Sequence, residues 1–331
     1  MLNFPNPAQA AEPIVASLIG NTPLIPVRLF AEAQGIPSSV TLLVKAEWQN
    51  PGGSIKDRTA LSIIRDAIAN GQLGSGQTLI DSTSGNTGIA YSMLGAAFGI
   101  PVTLVVPESA SEERKRILAA YGATVIFSDP YEGSDGAITL VRELVDTNHD
   151  AWFYANQYNN PANLRAHYTT TGPEIWAQSG GSVTHFIAAL GTTGTLMGAG
   201  RFLHEAGPVT VVGVQPAEAF HGIEGLKHLP SAILPGIYDP TMADRMFGIE
   251  TEEAFDAARL LAKTEGLFVG SSSGANLAAA TQLAKEIAHA GNSATIVAVC
   301  CDTGARYLST GLWDTGDVLG RNPPVEIGEG S

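Results

Sequence analysis

Thr78-Leu79-Ile80-Asp81-Ser82-Thr83-Ser84-Gly85-Asn86-Thr87-Gly88-Ile89-Ala90 runs from a short apolar strand through a glycine-rich polar turn into the start of a helix. The pattern predicts a strand over 78–81, a helix rich in Ala and Gly over 86–98 and an apolar strand over 102–106. Onward, Ser111 opens a charged amphipathic helix over 111–121 with Glu112 and Glu113 in its first turn, where a helix dipole favours anions. A strand over 124–128, a helix over 135–145 and a strand over 152–155 follow. Short β-rich runs alternating with amphipathic helices imply an α/β fold with a mainly parallel sheet covered on both faces.

Working back from this unit, a strand over 41–47 leads into Asn50-Pro51-Gly52-Gly53-Ser54-Ile55-Lys56-Asp57-Arg58. Pro51 fixes its own φ, and Gly52 and Gly53 allow positive φ or close backbone approach, so the turn can be tight. From Asp57 the residues Leu61, Ile63, Ile64 and Ile68 give a helical apolar spacing. A cation in the first helical turn opposes the helix dipole, so propensity does not explain the position of Lys56. Two readings stay open for it: a reactive amine of the kind that forms Schiff bases, or a surface lysine after a loop.

Working forward, an irregular polar segment over 156–163 precedes a second alternation. This comprises a helix over 164–178, a strand over 184–190, a helix over 195–204 and a strand over 209–214. After a long loop over 215–239 come a helix over 251–264, a short strand over 267–269, a helix over 275–290 and a strand over 295–300. Two α/β domains with a cleft between them fit this order. The expected division is a smaller mobile domain over 46–158, a larger domain of 1–45 plus 159–319, and a flexible acidic tail over 320–331.

With 331 residues, 44% hydrophobic and 15% charged, the chain can bury a large core. Its net charge of −14 argues against nucleic acid and anionic membranes as partners, so any anionic ligand must be held by local donors against the overall field. Cys300 and Cys301 are neighbours in a strand-like run, where side chains point to opposite faces, and are expected to be reduced, small buried hydrophobes. The first sixteen or so residues lack the basic and apolar regions of a signal peptide, and no apolar run is long enough to span a bilayer, so a cytoplasmic location is expected.

Three turns fall where strands end and helices begin, the place where open α/β sheets hold ligands. Thr83-Ser84-Gly85-Asn86-Thr87-Gly88 offers hydroxyls and free N–H groups suited to a carboxylate, and Gly191-Thr192-Thr193-Gly194-Thr195 offers the same chemistry to a phosphate monoester. Gly270-Ser271-Ser272-Ser273-Gly274 is the third. Each alone reads equally as an ordinary helix cap. Together with the lysine turn they make the set needed to handle an amino acid through pyridoxal phosphate.

These motifs, with Tyr168-Thr169-Thr170-Thr171-Gly172-Pro173-Glu174-Ile175-Trp176, stand in an order that resembles the cysteine synthase and cystathionine β-synthase family of fold type II pyridoxal-phosphate enzymes. The resemblance spans about residue 19 to 313 and is nearest the cysteine synthase B type. It implies two domains, each with a central sheet flanked by helices, and an active site in the cleft between them. Lys56 would carry pyridoxal 5'-phosphate covalently, and Asn86 would meet its ring hydroxyl. Gly191, Thr192, Thr193, Gly194 and Thr195 would hold its phosphate, and Ser272 its pyridine nitrogen. Thr83, Ser84, Asn86, Thr87 and Gln157 would bind the substrate carboxylate. No metal is implied. The implied reaction is a β-replacement making L-cysteine from an O-activated L-serine, either O-acetylserine or O-phosphoserine, through an α-aminoacrylate. Sulfide, thiosulfate or a carrier-bound thiocarboxylate would supply the sulfur. Members are usually homodimers, and a sulfur-carrier protein is a further implied partner. Lys227 falls where B-type members often have arginine. There it would face an anionic leaving group or sulfur donor, the alternative being a solvated loop lysine. Rival readings are cystathionine β-synthase activity, a dehydratase of the same fold, and a noncatalytic or nucleotide-binding α/β protein. His221 and His228 receive no role.

Overall fold

A computed structural model of the protein describes residues 11–314 except 75, 84, 109, 130 and 132. The expected acidic tail over 320–331 lies outside the described residues, as does Ser84. The strands are β1 Leu24–Pro26, β2 Val40–Ala46, β3 Thr78–Ser82, β4 Val102–Pro107, β5 Thr124–Ser128, β6 Trp152–Tyr154, β7 His185–Ala189, β8 Thr210–Pro216, β9 Arg245–Ile249 and β10 Ala294–Cys300. They form a six-stranded sheet, order β1-β2-β10-β7-β8-β9, and a four-stranded sheet, order β5-β4-β3-β6. Every pairing is parallel except that of β1 with β2.

Both sheets are covered on both faces, as the near-continuous apolar strands require. In β10 the side chains of Ile296, Ala298 and Cys300 enter a core built with helices Thr251–Glu265 and Ser271–His289. Val297 and Val299 point the other way, into a core with helix Gly194–Ala206. In the smaller sheet, Leu79 and Leu104 pack under helices Lys56–Ala69 and Asn86–Phe98, whereas Ile80 and Val105 face Ala137 and Val141 of helix Gly133–Thr147.

Two expectations need correction, and two strands lie where the sequence pattern gives no strand. The strand over 267–269 reduces to an isolated bridge between Val269 and Thr303. The edges of the six-stranded sheet are β1 and β9, short segments with mixed burial that carry little periodic signal. The single helix over 164–178 is three segments: Pro161–Ala166, a π-helical turn His167–Thr171 and Gly172–Gln178. An added Cβ on Gly198 would overlap the Leu164 carbonyl, so helix Gly194–Ala206 approaches this bulge at backbone distance.

Candidate active site

The ends of β3, β7 and β10 and the lysine turn converge on a cavity of about 220 Å³ between the two sheets. Lys56 is the first residue of helix Lys56–Ala69 and lines this cavity. Its turn is closed by the Gly53 N–H donating to the Asn50 carbonyl at 2.7 Å, with Gly53 at φ +77°. The Gly52 N–H donates to Asp57 Oδ2 at 2.6 Å, and a Cβ on Gly52 would overlap that carboxyl, so glycine is required there. Burial pushes the Asp57 carboxyl up to about 7. On the other side the Ile55 N–H donates to the Cys301 carbonyl at 2.8 Å, joining the lysine turn to the segment that leaves β10.

Thr83, Asn86 and Thr87 line the same cavity from the start of helix Asn86–Phe98. Thr87 Oγ1 donates to Gln157 Oε1 at 2.7 Å, and Gln157 Nε2 donates to the Ser82 carbonyl at 3.2 Å. Thr87 therefore turns its hydroxyl hydrogen toward Gln157, leaving its backbone N–H in the first turn and one Nε2 hydrogen of Gln157 as donors. Asp81, fully buried beneath them, accepts from the N–H groups of Ser82 and Gln157, and burial pushes its carboxyl up to about 7.

Gly191, Thr192 and Thr195 line the opposite wall. Thr193, the N-cap of helix Gly194–Ala206, is left-handed at φ +69°, a strained conformation for a β-branched residue and one that recurs at ligand clamps. Its Oγ1 is buried without a partner. The first N–H groups of the helix have no intrahelical acceptors, and this orphaned hydroxyl adds to them, so the loop fits a phosphate. A Cβ on Gly191 would overlap the Gly225 carbonyl, and one on Gly194 the Asn163 side chain, so neither glycine is replaceable without movement. Beneath the loop, the His167 ring lies 3.3 Å from Thr59 Oγ1 and 3.4 Å from Thr195 Oγ1, linking the lysine helix to the phosphate-type loop. Burial first, then Arg58 and Lys56, holds His167 well below its ordinary pKa and hence neutral.

Ser272, in the first turn of helix Ser271–His289, and Cys301 close the floor. Burial pushes the Cys301 thiol up to about 11, and Cys300 is fully buried; both are unpaired thiols. Lys227 is not a solvated loop lysine: it is 9% exposed, lines the cavity, stacks over the Tyr158 ring at 5.0 Å and lies 3.7 Å from Asp135 Oδ1.

Several residues in or behind the cavity wall were not legible in the sequence. Arg114, in the charged helix Glu112–Ala120, reaches from the smaller sheet's side to Glu224 and also covers the Tyr307 ring. Asp302, Arg306 and Tyr307 surround Asn86: Asn86 Nδ2 donates to Asp302 Oδ2 at 2.6 Å, Tyr307 Oη donates to the same oxygen at 2.7 Å, and Arg306 Nη1 donates to Asn86 Oδ1. Nothing in the spacing of 302–307 distinguishes these residues from an ordinary turn after a strand.

The chain was compared with known proteins. The model of the family described as "Pyridoxal-phosphate dependent enzyme" matches residues 15–302. The chain is 51% identical to a cysteine synthase of Aquifex aeolicus over 94% of this chain and 95% of that one. It is 45% identical to cysteine synthase B of Pseudomonas aeruginosa, over 91% and 98% respectively. The crystal structure of a cysteine synthase from Entamoeba histolytica superposes with a TM-score of 0.86 at 35% identity, covering 95% of this chain and 94% of the other. A lysine at a helix start, an anion-ready loop opposite it and a carboxylate-type loop between them thus accompany a family match over most of the length, and the chain belongs to the pyridoxal-phosphate dependent enzymes.

Proposed function

We propose that the protein is a pyridoxal-phosphate dependent cysteine synthase, which replaces the β-substituent of an O-activated L-serine with sulfur to give L-cysteine. The observation that carries the reading is the convergence of Lys56, the loop Gly191–Thr195 and Ser272 on one cavity. Bound pyridoxal phosphate supplies an aldehyde carbon for an amino group and an electron sink conjugated to the substrate Cα. The N–H groups at the start of helix Gly194–Ala206 and the hydroxyls of Thr192, Thr193 and Thr195 hold its phosphate. Ser272 would offer the pyridine nitrogen a neutral hydroxyl, adding no charge to keep that nitrogen protonated, which suits loss of a β-leaving group over a long-lived carbanion. Lys56 Nζ would anchor the cofactor, and its free amine would be the general base that accepts the substrate Cα proton. The Asn86 side chain would meet the cofactor's ring hydroxyl, and Thr83, Ser84, Thr87 and Gln157 would orient the substrate carboxylate.

Lys227 presents a cation to an anionic leaving group or sulfur donor, which allows O-phosphoserine beside O-acetylserine and thiosulfate or a carrier thiocarboxylate beside sulfide. The unit 46–158 is the smaller, moving lobe, and its closure excludes water from the reacting carbons. The protein works as a cytoplasmic homodimer by analogy with the family; among the described residues no helix is long and apolar enough to cross a membrane. Steady-state formation of cysteine from O-acetylserine and sulfide tests the reading. The wild type turns over, and Lys56→Ala loses both turnover and the visible absorbance of the bound cofactor. Retained turnover in that variant overturns the assignment.

A further inference from the structure

We infer that Arg306 is a positioning residue that fixes which face of the Asn86 amide is offered to the cofactor. The inference rests on the reading of Asn86 as the partner of the cofactor ring. A guanidinium can only donate, and a carboxylate can only accept. Arg306 donates through Nη1 to Asn86 Oδ1 and through Nη2 to the Gly52 carbonyl of the lysine turn. Asp302 Oδ2 accepts from Asn86 Nδ2 and from Tyr307 Oη. The amide oxygen of Asn86 is therefore taken up by Arg306 and one Nδ2 hydrogen by Asp302, leaving a single Nδ2 hydrogen to face the cavity.

Rotation of the amide by half a turn sets NH₂ against guanidinium and carbonyl against carboxylate, two mismatched contacts in a site where Asp302 is fully buried and Arg306 is 9% exposed. Protonation of Asp302 relieves only the second of these contacts; the amide NH₂ still faces the guanidinium of Arg306, which can only donate. Arg306 also ties two walls of the cavity together, since Gly52 belongs to the lysine turn and Asn86 to the helix that follows β3. The guanidinium passes directly over Gly53, where an added Cβ would lie 2.9 Å from Nη2. A ring oxygen of the cofactor then meets a donor of fixed direction, which stabilises its ionised form.

A double-mutant cycle on cofactor binding tests this, read by fluorescence titration of apoprotein with pyridoxal phosphate and by the visible spectrum of the loaded protein. Binding by the wild type secures the cofactor reading independently. Asn86→Ala and Arg306→Met are each expected to weaken binding by about tenfold and to shift intensity from the visible to the near-ultraviolet band. The pair is expected to be no weaker than either alone, and Arg306→Lys, which keeps the charge but not the two-donor fork, to recover part of the loss. Additive losses, an Arg306→Met effect that persists at full size in the Asn86→Ala background, or a spectrum unchanged by Arg306→Met overturns the inference. Should Arg306→Met fail to fold, the same cycle with Arg306→Lys decides by the same criterion.

Discussion

Asp81 and Lys227 show how burial turns ordinary side chains into informative ones. Asp81 is fully buried with a carboxyl pushed up to about 7, against an unfolded value near 3.8. The folded state thus holds a proton that the unfolded state has released. The stability contributed by the neutral group is complete below pH 3.8 and is lost as pH rises through the window from about 3.8 to 7. Asp81→Asn removes that titration, so its stability relative to the wild type is expected to rise between pH 5 and pH 8 by about 1–3 kcal/mol, measured by urea denaturation at both values. A difference that does not change with pH contradicts the assignment. For Lys227, which the sequence left open between a solvated lysine and an anion partner, the low exposure and the place in the cavity wall favour the second. Lys227→Ala is expected to lower kcat/KM for O-phosphoserine about tenfold more than for O-acetylserine. Equal losses on both substrates remove its discriminating role. The cavity-lining positions readable in advance were those whose backbone setting marks them, such as Lys56 beyond the turn of Gly52 and Gly53. Arg306 and Asp302 were not, because their importance lies in meeting Asn86 from more than 200 positions away.

Helix Lys56–Ala69 owes its placement to a buried ion network as well as to its apolar face. Arg58 donates to Glu47 at 2.7 Å through Nε and to Glu174 at 2.6 Å through Nη1, and Lys45 reaches Glu174 at 2.7 Å. Four charged groups from β2, the turn after it, the lysine helix and helix Gly172–Gln178 therefore share one site, with Lys45 and Glu47 fully buried. Burial alone raises a carboxyl pKa, yet the adjacent Arg58 charge and hydrogen bonds hold Glu47 below the ordinary range. Removing one member strands its partner: Glu47→Gln is expected to destabilise the fold by about 3–5 kcal/mol in urea denaturation, and a loss under about 1 kcal/mol contradicts the network's role. At this scale the sequence was most legible where periodicity was strong. The helix Asn86–Phe98 and strand Thr124–Ser128 have the bounds expected from their patterns. It was least legible where tertiary packing overrides the local pattern. The close approach of Gly198 accompanies the π-helical turn His167–Thr171 within an apolar spacing that reads as one α-helix. The edge strands β1 and β9 are identified by pairing partners rather than by their own composition.

Across the whole molecule, two covered sheets meet at a cleft, and cations within it stand against a net charge of −14. Arg114 pairs with Glu224 and Lys227 lies near Asp135, so each lobe contributes one cation and one carboxylate to contacts across the cavity. Those two pairs join the sides of the two sheets across the cavity by opposite charges. The α/β class and the glycine-rich turns were readable because strand–turn–helix order is local; the cross-cleft pairs were not, because charge runs such as Glu112 to Arg116 do not reveal which member faces inward. The account as a whole depends on covalent attachment at Lys56. Borohydride reduction of the protein loaded with pyridoxal phosphate, followed by peptide mapping by mass spectrometry, tests that claim directly. A single pyridoxyl group on the peptide containing Lys56 is the result expected; label on Lys45, Lys227 or any other lysine with Lys56 unmodified contradicts it.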